Sequence, residues 1–262
     1  MSKTTLTILI HGESGVGKST TADTCPGPRL ILDAEGRAKY TPSGPKVTWD
    51  PMREAPPVAD GTWNTCVCSI TDFDQVDQVY TWLRSGNHPF RSVVIDSLME
   101  MQKRAIDKIA GMDQMKTQDW GELLRRLEGQ VRSFRDLTMI ESNSIQVVVF
   151  IVGSTAGEDG KQRPLLQGAL KNTVPYYLDV VGYQYTQVDP ATGEMSRKLL
   201  TSPMPGFVAK DGTGKLPAVM DIPKPARGQL AISNMLDMMA AAGKAEAIPA
   251  YAPTPIPGGT PV

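Results

Sequence analysis

Unbroken apolar runs recur along this chain, separated by segments whose apolar residues fall every three or four positions. The runs are Leu6-Thr7-Ile8-Leu9-Ile10, Arg29-Leu30-Ile31-Leu32-Asp33, Asn64 to Ile70, Phe90 to Asp96 and Ile145 to Val152. Each has strand length and is apolar at consecutive positions, as in strands buried on both faces. Between them, Phe73, Val76, Val79, Tyr80 and Leu83 share one helical face, with Asp72 as its cap and Gly86 as its stop. Leu98 to about Ala110 also reads as helix, broken at Gly111. A longer amphipathic helix then puts Trp120, Leu123, Leu124, Leu127, Val131, Phe134 and Leu137 on one face. Its arginines, Arg125, Arg126, Arg132 and Arg135, lie mostly opposite and read as a solvated face. The alternation predicts an α/β fold: a mostly parallel sheet, Ile145–Val152 at its centre, with helices on both faces.

The pattern changes near residue 175. Val180 to Gln187 and Ser196 to Ser202 read as strands paired around the turn Asp189-Pro190-Ala191-Thr192-Gly193, joined by a short segment near Gly206-Phe207-Val208. A last amphipathic helix is predicted from about Gly228 to Ala242. Residues 36–62 are rich in Pro and Gly, with one short strand near Lys46-Val47-Thr48-Trp49; an excursion of that length is either functional or a plain surface insertion. Ile248 to Val262 is punctuated by proline and has no core to bury, so it is expected to be disordered or extended. One domain over residues 1–245 and a tail over 246–262 follow.

The chemistry starts where the first run ends. Gly12-Glu13-Ser14-Gly15-Val16-Gly17-Lys18-Ser19 is a complete Walker A phosphate loop, placed between a strand and the helix-opening Ser19-Thr20-Thr21-Ala22. Its glycines let successive N–H groups turn inward onto phosphate oxygens. Lys18 reaches the terminal phosphates, and the Ser19 hydroxyl suits Mg²⁺. The helix N-terminus adds partial positive charge at the same spot, beside Thr20. Pro26-Gly27-Pro28 keeps that helix short. Asp96 closes its apolar run at the carboxyl edge of the sheet, the place for a second metal-side carboxylate. The implied ligands are a nucleoside triphosphate and Mg²⁺; nothing in these residues reads adenine against guanine, and ATP is what the resemblance given below implies.

Composition narrows the setting. The chain has 262 residues, 40% of them hydrophobic, enough for one large core. A formal net charge of −1 supplies no global field for nucleic acid, so such binding has to come from local patches. The cysteines Cys25, Cys66 and Cys68 make no metal spacing and suit a reducing cytoplasm. No apolar stretch approaches the roughly 18 residues a membrane helix needs, and the chain opens directly on its first strand with no secretion signal pattern. No membrane partner is expected.

Asp33-Ala34-Glu35, at the end of the second run, is the discriminating feature, because Ser97 holds the position directly after Asp96. A strand followed by Asp-Ala-Glu resembles the RecA-type ATPases. With Asp119-Trp120-Gly121 opening the long helix and a lysine-bearing late segment, residues 5–220 look like the phage-encoded, core-only RecA-like ATPases grouped with single-strand annealing and recombination proteins. The resemblance implies Glu35 as the group that polarises the attacking water. It implies Ser154 or Thr155 as the γ-phosphate sensor, although the family has an amide such as Gln there. Gly157 to Pro164, with Lys161 and Arg163, and residues 111–118, with Lys116, stand where that family has DNA-contacting loops. Phe207 to Pro217 is similar to a late hairpin that offers cations to a neighbour's ATP, here Lys210 and Lys215.

The implied function is a DNA-dependent ATPase that binds single-stranded DNA and promotes annealing or strand exchange. It would self-associate into a filament or ring in the host-cell cytoplasm, with a single-strand binding protein as a further partner. A small-molecule or nucleotide kinase shares the phosphate loop, but no Arg-rich lid is present and Glu35 would have no task. An ATP-gated partner-binding module, such as a helicase loader or packaging component, is the non-catalytic alternative.

Overall fold

The computed structural model describes residues 3–223 and 231–245. The first half of the chain runs β1 (Leu6–Gly12), α1 (Lys18–Ala22), β2 (Arg29–Asp33), β3 (Lys46–Thr48), β4 (Thr65–Ser69), α2 (Phe73–Ser85) and β5 (Ser92–Asp96). Next come α3 (Leu98–Ala110), α4 (Thr117–Asp136), β6 (Val147–Ala156), β7 (Gln162–Pro164) and α5 (Leu170–Tyr177). The last elements are β8 (Val180–Val188), β9 (Met195–Leu200), β10 (Lys210–Asp211), β11 (Val219–Ile222) and α6 (Ala231–Ala245). The tail expected over 246–262 and the helix start expected at Gly228 lie outside the described residues.

The strand order is β11-β9-β8-β1-β6-β5-β2-β4-β3, with β10 on β8 and β7 on β6. From β8 to β3 every neighbour is parallel, while β9 and β11 extend the sheet antiparallel. This is the expected mostly parallel sheet, extended by an antiparallel C-terminal region. The consecutive apolar residues serve two layers. In β6, Val148, Phe150 and Val152 face the layer of α2, α3, α4 and α5, while Val147, Val149 and Ile151 face that of α1 and α6. Leu9 against Ile8 and Ile10 in β1 divides in the same way.

Local signals work as read for α2. The Asp72 side chain accepts from the Asp74 N–H, the Gln75 side chain caps back, and Gly86 ends the helix in the left-handed region. In α4 the predicted face is buried at Leu123, Leu127, Val131 and Phe134, but Trp120 remains 42% exposed. It sits in the first turn, outside the stripe covered by the other helices. Among the described residues no helix is long and apolar enough to cross a membrane.

The structure departs from the expectation in several places. α5 carries Pro175 inside it, which hid it from pattern reading. β11 is four residues long, and the segment after Phe207 is no hairpin of its own. Its β10 adds antiparallel to β8, and the Asp211 carboxylate then accepts the N–H groups of Thr213, Lys215 and Leu216 to fold the following turn. Phe207 bridges to Gln162 and Met204 rather than joining β8 to β9.

The excursion over 36–62 is a packed insertion. Trp49 and Trp63 are buried, with ring centroids 6.0 and 6.3 Å from Phe90, and their indole N–H groups donate to the Glu54 and Val58 carbonyls. Phe90→Ala should therefore cost about 3–5 kcal/mol in denaturant unfolding and red-shift tryptophan emission. A loss below about 1 kcal/mol would mean that the insertion is held elsewhere.

Candidate nucleotide site

β1 delivers the phosphate loop to the carboxyl edge of the sheet. At Gly12 a Cβ would lie 2.2 Å from the Gln184 carbonyl oxygen of β8, so no side chain fits there. Gly17 turns the chain into α1 with φ 93°. The Gln184 side-chain amide donates to the Val16 carbonyl at 2.9 Å and ties the loop to β8. The Lys18 ammonium donates to the Gly12 and Glu13 carbonyls at 2.9 and 2.7 Å.

Two neighbouring strands bring the carboxylates. Asp33 and Asp96 are register partners at the ends of β2 and β5. The Asp33 carboxylate accepts the Arg37 and Ala38 N–H groups at 3.0 and 2.9 Å, closing the turn that carries Glu35. Ser97, which follows Asp96 through a cis peptide bond, caps α3 and donates its hydroxyl to Glu35 Oε1 at 2.6 Å. Arg37 Nε lies 3.5 Å from the other Glu35 oxygen. The Asp33 turn and the Ser97 hydroxyl thus hold Glu35 at the wall of the same cavity as Asp96.

These groups border a cavity of about 550 Å³. Gly12, Glu13, Ser14, Gly15, Gly17, Lys18, Ser19 and Thr20 line one side, with Glu35 and Asp96 opposite and Ser154 of β6 closing the end. Burial pushes the Asp96 carboxyl up to about 6; Glu35 and Asp33 add to this, while the Ser19 hydroxyl bond and Lys18 oppose it. Burial also lowers Lys18, against the pull of Asp96 and Glu35. Among the described residues Lys18 has no carboxylate ion-pair partner, and its proton donors rest only on carbonyls of its own loop. A cavity with a half-buried ammonium that has no carboxylate partner suits a polyphosphate. Ser19 and Asp96 already share a hydrogen bond and are the pair that would hold Mg²⁺, which when bound supplies Lewis acidity to phosphate oxygens.

The remaining expected residues fall in different places. Val16 is buried beneath the loop rather than on the cavity wall. Thr155 pairs with Arg163 in the β6–β7 ladder, and only Ser154 reaches the cavity. Residues 157–164 are therefore the tip and return of a hairpin rather than an open loop. Ser154 Oγ is 3.1 Å from Gln162 Oε1, so a glutamine amide does stand beside the expected sensor position, supplied from β7. Lys116 sits exposed at the start of α4, its N–H bonded to Asp119. Lys161, Arg163 and Lys210 border a second cavity, and Lys215 lies in the Asp211 turn; none of these four lines the nucleotide cavity of its own chain.

Sequence reasoning missed Arg37, Ser97 and Arg197, all on the cavity wall. Arg197 comes from β9, and its Nε is 2.9 Å from where a Gly17 Cβ would stand, so its guanidinium lies against the phosphate loop. It has no carboxylate partner among the described residues. Only the pairing of β9 with β8, which sets Arg197 opposite Thr186, reveals this placement. Arg197→Ala should weaken ATP and ADP binding about 10-fold or more in a fluorescent-nucleotide titration, the scale of a lost charge-assisted hydrogen bond. Unchanged affinity would reduce the guanidinium to a packing role.

No curated protein matches this sequence. Among solved structures, the chain is similar to a KaiC-like protein, PH0186, from the hyperthermophilic archaeon Pyrococcus horikoshii OT3. The TM-score is 0.43 at 12% identity, covering 83% of this chain and 89% of that one. The family profile of the AAA domain matches residues 4–213, a span that holds every residue lining the cavity. The chain belongs to the AAA domain family and is a P-loop ATPase.

Proposed function

We propose that this ATPase couples ATP hydrolysis to single-stranded DNA, promoting annealing or strand exchange in phage recombination. The observation that carries the reading is Glu35, delivered from the tip of β2 to the wall of the phosphate cavity. Ser97 occupies one lone pair of Glu35 Oε1, leaving acceptor capacity for a water. Glu35 accepts a proton from that water as its oxygen bonds the γ-phosphorus. The bond from the γ-phosphorus to the bridging oxygen breaks, and ADP and phosphate leave. Lys18 and Arg197 stabilise negative charge on the phosphates.

Support for a strand partner comes from position. The β6–β7 hairpin carries Lys161 and Arg163 and touches the cavity through Ser154, and Lys116 stands on the exposed segment between α3 and α4. In a filament or ring, Lys210 or Lys215 would be the cation offered to a neighbour's nucleotide, as the resemblance of Phe207 to Pro217 to a late hairpin implies; neither has a carboxylate ion-pair partner among the described residues. The phage context and a single-strand binding protein as further partner rest on the core-only resemblance.

Glu35→Gln should keep ATP binding while lowering turnover by a factor on the order of 10² or more. Equal turnover would move the base elsewhere. In the unaltered protein, single-stranded DNA should raise the ATPase rate and change particle size in electron micrographs. Indifference on both counts, together with no salt-sensitive DNA binding, removes the DNA part of the reading.

A further inference from the structure

A second cavity, of about 320 Å³, lies between the β6–β7 hairpin, α5 and β10. Its wall carries Lys161 and Arg163 from the hairpin side, Lys171 and Asn172 from α5, and Lys210 from β10. In a chain whose formal net charge is −1, four cations around one small space are a local concentration of positive charge. Arg163 is already engaged by both oxygens of Asp159, at 2.6 and 2.7 Å. Lys161, Lys171 and Lys210 have no carboxylate ion-pair partner among the described residues. Asp179, the acid that acts on Lys210 through space, has an oxygen taken by the Thr7 N–H and hydroxyl at 2.8 and 2.7 Å. Burial strips water from the Lys210 ammonium, whose contact in the structure is the Tyr176 carbonyl at 3.5 Å.

At the mouth of this space Tyr176 is 82% exposed, while its helix neighbours Val174 and Pro175 are buried. Unpaired ammonium groups beside an exposed aromatic ring are the combination that holds a single strand: phosphates on the cations, a base on the ring. We infer that the second cavity seats the backbone of single-stranded nucleic acid through Lys171 and Lys210, with one base stacked on Tyr176. This rests on the DNA-coupled reading above and adds α5 and β10 to the hairpin as contacts.

Hydrogen bonds link the two cavities. Ser154, on the nucleotide cavity, lies 3.3 Å from His11 Nδ1 and 3.2 Å from the Arg163 carbonyl. His11 Nε2 donates to the carbonyl of Val208, which lines the second cavity, at 2.6 Å. A strand seated there would lie one hydrogen-bonded residue away from Ser154, through Arg163 and through Val208 and His11.

The test uses the full chain and fluorescent oligothymidylate, with anisotropy read across salt. Lys171→Ala should weaken binding and flatten the slope of log affinity against log salt by about 0.7. Tyr176→Ala should weaken binding about 5- to 100-fold with the slope unchanged, and Tyr176→Phe should restore it. Both alanine variants should bind ATP like the unaltered protein. If the unaltered protein fails to bind the oligonucleotide, the DNA-coupled reading itself falls. If it binds and both variants match it, the placement in this cavity falls and the reading survives. Equal competition by inorganic phosphate and oligonucleotide would show a site for free anions only, and altered particle size in Lys171→Ala without DNA would show a subunit contact; either overturns the inference.

Discussion

Parallel pairing within a sheet buried on both faces is the constraint from which the rest follows. Inside such a sheet every backbone N–H and C=O is committed to a neighbouring strand and every side chain to one of two apolar layers. Polar chemistry has room only where strands end, and parallel strands end together. Gly12 is level with Gly153, Asp96 with Ile151, and Asp33 with Asp96. The phosphate loop, both carboxylates and the Ser154 end of β6 are thereby collected on one edge by the same ladder that closes the core.

Burial at that edge sets the electrostatics. Asp96, pushed up to about 6, and Lys18, pushed down, are both held at a cost in desolvation. Each is nonetheless positioned by hydrogen bonds, from the Ser19 hydroxyl for Asp96 and to loop carbonyls for Lys18. His11 shows the same pressure in a cleaner form. Its burial brings it down to about 4, so the ring stays neutral near pH 7 and holds Val208 and Ser154 by tautomer rather than by charge. This neutral link joins the nucleotide cavity to the basic one without placing another cation beside Lys18.

Much of this was legible because its signals are local. β2 is observed over Arg29–Asp33 as read, and α2 has the Asp72 cap and Gly86 stop that its sequence announces. Walker A residues need only a strand before them and a helix after. Elements that depend on distant partners were not visible. α5 contains Pro175, and it persists because Leu170 and Val174 pack into the large core layer. β11 alternates exposed and buried over four residues, too short a pattern to register until β9 is there to pair with it. Trp120 fell on the apolar stripe of α4, yet its burial depends on what covers the first turn.

The sequence by itself determined the α/β class, the succession of strands and helices along the chain's core, the phosphate loop and two carboxylates, Glu35 and Asp96, that line the same cavity. These are properties of adjacent residues, whose spacing dictates backbone conformation and which face is apolar. The tertiary structure alone decided which cations meet at a cavity: Arg197 against Gly17 from β9, and Lys171 and Lys210 beside the β6–β7 hairpin. Long charged side chains carry no periodic signal, and their partners are set by strand register and helix docking between segments far apart in the chain.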